Sequence, residues 1–145
     1  MNSDPPHPTR QLDPRFLKGI ELFNEREFFE CHEVLEELWN DQQEPEKQLT
    51  QGILQIAVAY YHYLRGNYSG TCKLFHRAWP RISGFRNSAD CVLDLEPFIE
   101  VVQKGLQILE AHMALRASSE GIEADTFEVS AQIEIPTIQF KRSEQ

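Results

Sequence analysis

A spacing of 40 residues runs through the first half of this chain and narrows what it can fold into. Phe28 matches Tyr68, Leu35 matches Phe75, Leu38 matches Ala78 and Trp39 matches Trp79. Each matched set falls on a stretch with helical periodicity, in which apolar residues recur every three to four positions. The repeat therefore predicts two similar helical hairpins stacked on one another.

The punctuation agrees. Asp13-Pro14 is an N-cap followed by proline in the first turn, and it opens a helix to about Asn24 with Phe16, Leu17, Ile20 and Phe23 inward. A second helix runs from about Glu27 to Asn40, with Phe28, Cys31, Leu35, Leu38 and Trp39 inward. A third spans roughly Glu46 to Arg65. Gly66 suits its C′ position, and Asn67 caps a fourth helix carrying Leu74, Phe75, Ala78 and Trp79, which Pro80 kinks or ends. Asp94 caps a fifth that closes near Ala117, with Met113 as a core filler. Tyr60, Tyr61 and Tyr63 are expected between helices with their hydroxyls at the rim. The expected fold is all-α: about five helices, two stacked hairpins plus a closing C-terminal helix. Residues 1–12 read as a disordered lead-in, 13–117 as a single helical domain and 118–145 as an acidic, partly extended tail. Within that tail Glu120–Glu128 is expected to be loose, and Ile133–Phe140 to lie extended against the bundle.

Composition limits the function. With 145 residues and 41% hydrophobic content, the chain holds one core. It has no apolar run long enough to cross a membrane. The start lacks the basic and apolar regions of a secretory signal. Cys31, Cys72 and Cys91 form no CxxC pair and read as free, buried thiols of a reducing, cytoplasmic setting. A net charge of −9 argues against nucleic acid as a partner. Charge is nevertheless uneven. Residues 25–47 hold nine acids and two bases, whereas residues 65–86 hold five bases and no acid. Because the echo sets Glu33, Glu37 and Asp41 forty residues before Lys73, Arg77 and Arg81, an acidic ridge is expected to face a basic one.

The chemistry-bearing residues form a polar seam. At about 100° per residue, His32 and Glu36 share one edge of the second helix, which Trp39 closes. Gln51, Gln55 and His62 share a narrow stripe of the third. Packing of these two helices would bring the stripes together. Buried polar groups must be hydrogen-bonded or hold a ligand. Three readings follow. The seam is a closed hydrogen-bond network, or it binds a small polar ligand or a partner protein with no cofactor, or it is the centre of a metal-assisted, hydrolase-like enzyme. In the last, His32 and His62 ligate a divalent metal such as zinc and Glu36 is a third ligand or general base. The motif lacks the HExxH spacing of the commonest zinc hydrolases. The binding reading, a non-enzymatic adaptor module without membrane or nucleic-acid partners, is the one taken forward. No residue pattern sets an oligomeric state.

Phe28-Phe29-Glu30-Cys31-His32-Glu33-Val34-Leu35-Glu36-Glu37-Leu38-Trp39, then Gln51-Gly52-Ile53-Leu54-Gln55-Ile56-Ala57, then Gly66-Asn67-x-x-Gly70, resembles domain-of-unknown-function family 309. The resemblance implies a small, all-α, soluble protein without assigned activity. It implies that His32, Glu33, Glu36, Trp39, Gln51, Gly52, Gln55, Asn67 and Gly70 are the family's characteristic set. Arg26 stands where the family often has glycine, which passes any left-handed position in that turn to Asn24. Thr71 stands where alanine is usual, so that helix contact is expected to be looser or hydrogen-bonded. A weaker local resemblance links Gly66-x-Tyr68 with Phe75 and Ala78 to a tetratricopeptide hairpin, whose period is about 34 residues.

Overall fold

The computed structural model describes residues 12–118 and 131–142. Residues 1–11 of the expected lead-in, and Glu120–Glu128, lie outside the described residues, whereas Leu12 is described and packs half-buried against the core. Five helices follow in order: α1 (Pro14–Asn24), α2 (Phe28–Asp41), α3 (Glu46–Leu64), α4 (Tyr68–Ser83) and α5 (Leu95–Ser118). A two-residue strand β1 (Leu93–Asp94) pairs antiparallel with β2 (Gln139–Phe140). Helices α1 and α2 form one hairpin and α3 and α4 the other. They stack through α2 and α3, and α5 lies on α4.

Local chemistry explains the boundaries. The Asp13 carboxylate accepts the Arg15 amide at 2.9 Å, which satisfies a free donor of the first turn of α1. Asn67 does the same for α4, its Oδ1 accepting the Gly70 amide at 2.9 Å. The 40-residue echo extends into the turns. The Glu27 amide donates to Leu22 O at 2.9 Å, and the Asn67 amide donates to His62 O at 2.8 Å. Each turn has one left-handed residue: Gly66 at φ 80° and Arg26 at φ 67°. The left-handed position therefore stays on Arg26 instead of moving to Asn24. Two hydrogen bonds from the Arg26 guanidinium, described below, hold it there.

Four burial expectations change. Leu17 is 45% exposed because Gly19 packs on Leu35, which centres the buried stripe of α1 on Phe16, Gly19, Ile20 and Phe23. Trp39 is half-buried, with the Lys47 ammonium 4.4 Å from its ring centre. Trp79 is 36% exposed, under the Arg86 guanidinium. Tyr60, expected at the rim, is fully buried among Phe23, Phe28 and Phe75, and burial pushes its phenol well above the ordinary range. Pro80 does not end α4, which continues to Ser83. Pro80 and His76 are both exposed, so the carbonyl that loses its intrahelical donor lies on the solvent side. Cys31, Cys72 and Cys91 are free and buried, as expected, and burial pushes the Cys31 thiol up to about 12.

Residues 131–142 lie extended across the bundle as a strap. The Asn24 side chain donates to Ile138 O at 2.9 Å and accepts from Ile138 N at 2.7 Å. Arg26 donates to the carbonyls of Ile135 (3.0 Å) and Pro136 (3.2 Å). The Tyr63 hydroxyl donates to Ala131 O and accepts from Ile133 N. Ile138 is buried in the main core. Thr71, the other departure, makes a close hydrogen-bonded contact. It is buried, and its hydroxyl lies 3.1 Å from Ala59 O across the hairpin and 2.9 Å from Asn67 O.

Candidate functional site

Helix α3 sits between α2 and α4, and its register against each places the polar stripe. Lys47 lies over Trp39 at one end, and Phe29 meets Tyr61 at 5.8 Å at the other, so α2 and α3 run antiparallel. On the opposite flank a Cβ on Gly52 would come within 2.7 Å of Ile82 Cδ1, while Thr71 bonds to Ala59, so α3 and α4 are also antiparallel. On an ideal helix, taking Gly52 as the α4 direction, Tyr61 points about 180° away toward α2. Ile53, Ile56 and Tyr60 point into the core. Gln51, Gln55, Val58 and His62 occupy the remaining quadrant, midway between the two neighbours, and all four are half-buried. They form the floor of an outer groove.

The α2 wall carries Phe29, His32, Glu36 and Trp39. His32 Nε2 lies 3.4 Å from Glu36 Oε1, the two side chains being 29% and 54% exposed. Phe29 is 54% exposed and stands between the rings of His32 (6.5 Å) and Tyr61 (5.8 Å), with His62 6.1 Å beyond Tyr61. His62 Nδ1 lies 3.5 Å from the Asn67 amide nitrogen, whose oxygen is already committed to the cap. Along this wall and floor two polar atoms are buried without a partner: Trp39 Nε1 and Gln55 Oε1.

The α4 wall is basic. The α5 side of α4 is marked by His76, paired with Glu110 at 2.7 Å, and by Trp79, which lines a small cavity together with Phe98, Ile99 and Val102 of α5. Arg77 and Arg81 lie on the other side, bordering the groove. Arg81 donates to Arg77 O at 3.1 Å, its Cβ is beside Gly52, and its Nε is buried without a partner.

The seam residues therefore come together as a groove, with exceptions. Glu33 is exposed, about 80° round α2 from the mean direction of His32 and Glu36, and faces solvent. His32 and Glu36 pair while His62 pairs with Asn67, and among the described residues no group of three or more His, Cys, Asp or Glu side chains converges as a ligand set. The expected ridge pairing does not form. Helix α3 separates α2 from α4, and Asp41 binds Arg15 of α1 at 2.9 Å. Phe29, Tyr61, Arg77 and Arg81 were not anticipated at the site. The available signal was Gly52 beside Gln51, since a small residue there admits α4 closely and puts a second wall beside the glutamines.

Residues 16–74 match the family model described as a domain of unknown function (DUF309). The uncharacterized protein YpuF of Bacillus subtilis (strain 168) is 31% identical over 117 residues, which cover 79% of this chain and 67% of that protein. The chain belongs to the DUF309 family. In this DUF309 fold the matched residues span α1 to the middle of α4 and include the α2 wall and the whole floor. Arg77 and Arg81 lie beyond them. Among the described residues of the DUF309 chain, no helix is long and apolar enough to cross a membrane.

Proposed function

We propose that this DUF309 protein is a non-enzymatic binding or adaptor module whose site is the polar groove along α2 and α3. The observation that carries this reading is the pair of unpartnered atoms, Trp39 Nε1 and Gln55 Oε1, on half-buried residues of one groove. A network evolved only to specify packing pairs its members, because each buried unpaired group costs about 1–3 kcal/mol. Here a donor and an acceptor remain for a ligand to meet. Trp39 supplies an apolar wall, and Gln51 and Gln55 orient the bound group. The separation of His62 from the His32–Glu36 pair favours binding over metal-assisted hydrolysis.

The test is affinity capture by the full chain, compared with Gln55→Met and Trp39→Phe, with circular dichroism to establish that all three are folded. A bound protein or metabolite recovered with the parent chain and lost from both variants is the expected result. Identical recovery from all three would remove the groove as the site.

A further inference from the structure

We infer that the groove takes an acidic peptide segment of a partner protein, with the α4 wall binding its carboxylates and the Phe29–Tyr61 end taking an apolar side chain. This rests on the binding reading above and names the partner's chemistry.

The first support is charge without a counter-charge. Elsewhere in the fold Arg15 pairs with Asp13 and Asp41, Lys18 with Glu21 and Arg86 with Glu96, while Lys47 and Arg65 lie over aromatic rings and Arg26 and Lys141 bond to backbone carbonyls. Lys73, Arg77 and Arg81 have no acidic partner among the described residues, and residues 65–85 contain no acid. Intervening α3 keeps the acids of α2 away from them. The Arg81 guanidinium is held by its bond to Arg77 O, with Nε buried and unmet. A positioned guanidinium with free donors is suited to a carboxylate.

The second support is dimension. Lys73, Arg77 and Arg81 sit on successive turns, about 12 Å from first to last at 1.5 Å per residue, with Arg81 nearest the groove and Lys73 turned about 80° from it toward the His76 side. One phosphate or one carboxylate does not span that row, whereas a chain bearing several carboxylates does. The third support is the far end of the groove. Phe29 is more than half exposed against Tyr61, and the Arg65 guanidinium lies 5.3 Å from the Tyr61 ring centre. An apolar residue flanked by acids fits this end. A polynucleotide, charged along its whole length, would also meet Glu36 on the opposite wall and a chain of net charge −9. A peptide with its acids on one side can turn them toward α4 and away from Glu36.

The experiment uses immobilised full-length chain and two pools of random peptides, about twelve residues long so as to span the groove. One pool draws on Glu, Asp, Leu and Phe, the other on Lys, Arg, Leu and Phe. Retention is read by mass spectrometry, with oligothymidylate and inorganic phosphate as competitors. The acidic pool should be retained at least about tenfold over the basic one, less so in high salt. Arg77→Glu, at an exposed position that leaves the fold intact, should cut retention about tenfold, and Phe29→Ala should remove the preference for Leu and Phe. Equal retention of the pools, or retention indifferent to Arg77→Glu, overturns the inference. Displacement by oligothymidylate or by phosphate overturns it in favour of those ligands. If the acidic pool fails while capture still depends on Gln55, only the partner class is wrong. If capture is indifferent to Gln55 and Trp39, the groove reading itself has failed.

Discussion

Asn24 and Ile138 are bound to each other twice, amide to backbone in both directions, across 114 residues of chain. The turn of the first hairpin is thereby fastened to the strap. Asn24→Ala leaves the amide and carbonyl of buried Ile138 without these partners and should cost about 1–3 kcal/mol. Asn24→Asp keeps the acceptor and loses the donor, so it should cost less. Deleting 131–145 removes buried Ile138 and the Tyr63 bonds as well and should lower Tm further. Thermal melts of the three proteins give the order. An unchanged Tm on deletion would show the strap to contribute nothing.

Arg26 gives a contrast within one position. Its left-handed backbone costs roughly 1–2 kcal/mol for a residue with a Cβ, and its guanidinium recovers some of this through the Ile135 and Pro136 carbonyls. Arg26→Ala keeps the strain and loses the bonds, so it should destabilise by about 1 kcal/mol. Arg26→Gly loses the bonds and the strain together and should be nearly neutral. Denaturant titrations that rank alanine at or above glycine would contradict this account.

Gln55 should stand in the way of stability. Gln55→Met keeps the shape and removes a buried unpaired acceptor, and we expect a gain of about 1 kcal/mol in unfolding free energy. The same change should abolish capture of the partner. A loss of stability in urea would mean that Oε1 is satisfied in solution.

Acid sensitivity should trace in part to Asp13. The Arg15 side chain, and secondarily the Arg15 amide, hold its carboxyl below its ordinary value of 3.8. For a group depressed in the folded state, the stabilisation is complete above the unfolded value and is lost as pH falls through the folded one. Melts below about pH 4 should therefore be steeper in pH for the parent chain than for Asp13→Asn, which still caps the helix. Parallel curves would assign the acid response to other carboxyls.

Charge reversal tests the separation of the ridges. Arg77→Glu and Glu37→Arg should have additive effects on stability, within about 0.5 kcal/mol, because α3 lies between them. Rescue of one by the other would show contact.

The hairpins were legible because their signals are local. Asp13-Pro14, the Gly66-Asn67 turn and the apolar periodicity each act within a few residues. The polar stripe was legible for the same reason, since it needs only one helix to be periodic. The neighbour across it was not. Charge spacing on α2 and α4 says nothing of a third helix between them, so the ridges were matched to each other although each faces elsewhere. Trp39 and Trp79, alike in sequence, differ in burial because one lies beside α3 and the other at the α5 edge. Asn24 and Arg26 read as turn residues, and nothing near them announces partners more than a hundred positions later.

That distance bears on how the chain is made. The first hairpin is complete once residue 41 is joined, yet its turn has a side-chain amide and a left-handed arginine whose partners do not yet exist. Both must wait while the other three helices are added. During synthesis this hairpin is thus an open clasp, its turn exposed to any extended backbone within reach until residues 135–138 arrive to close it.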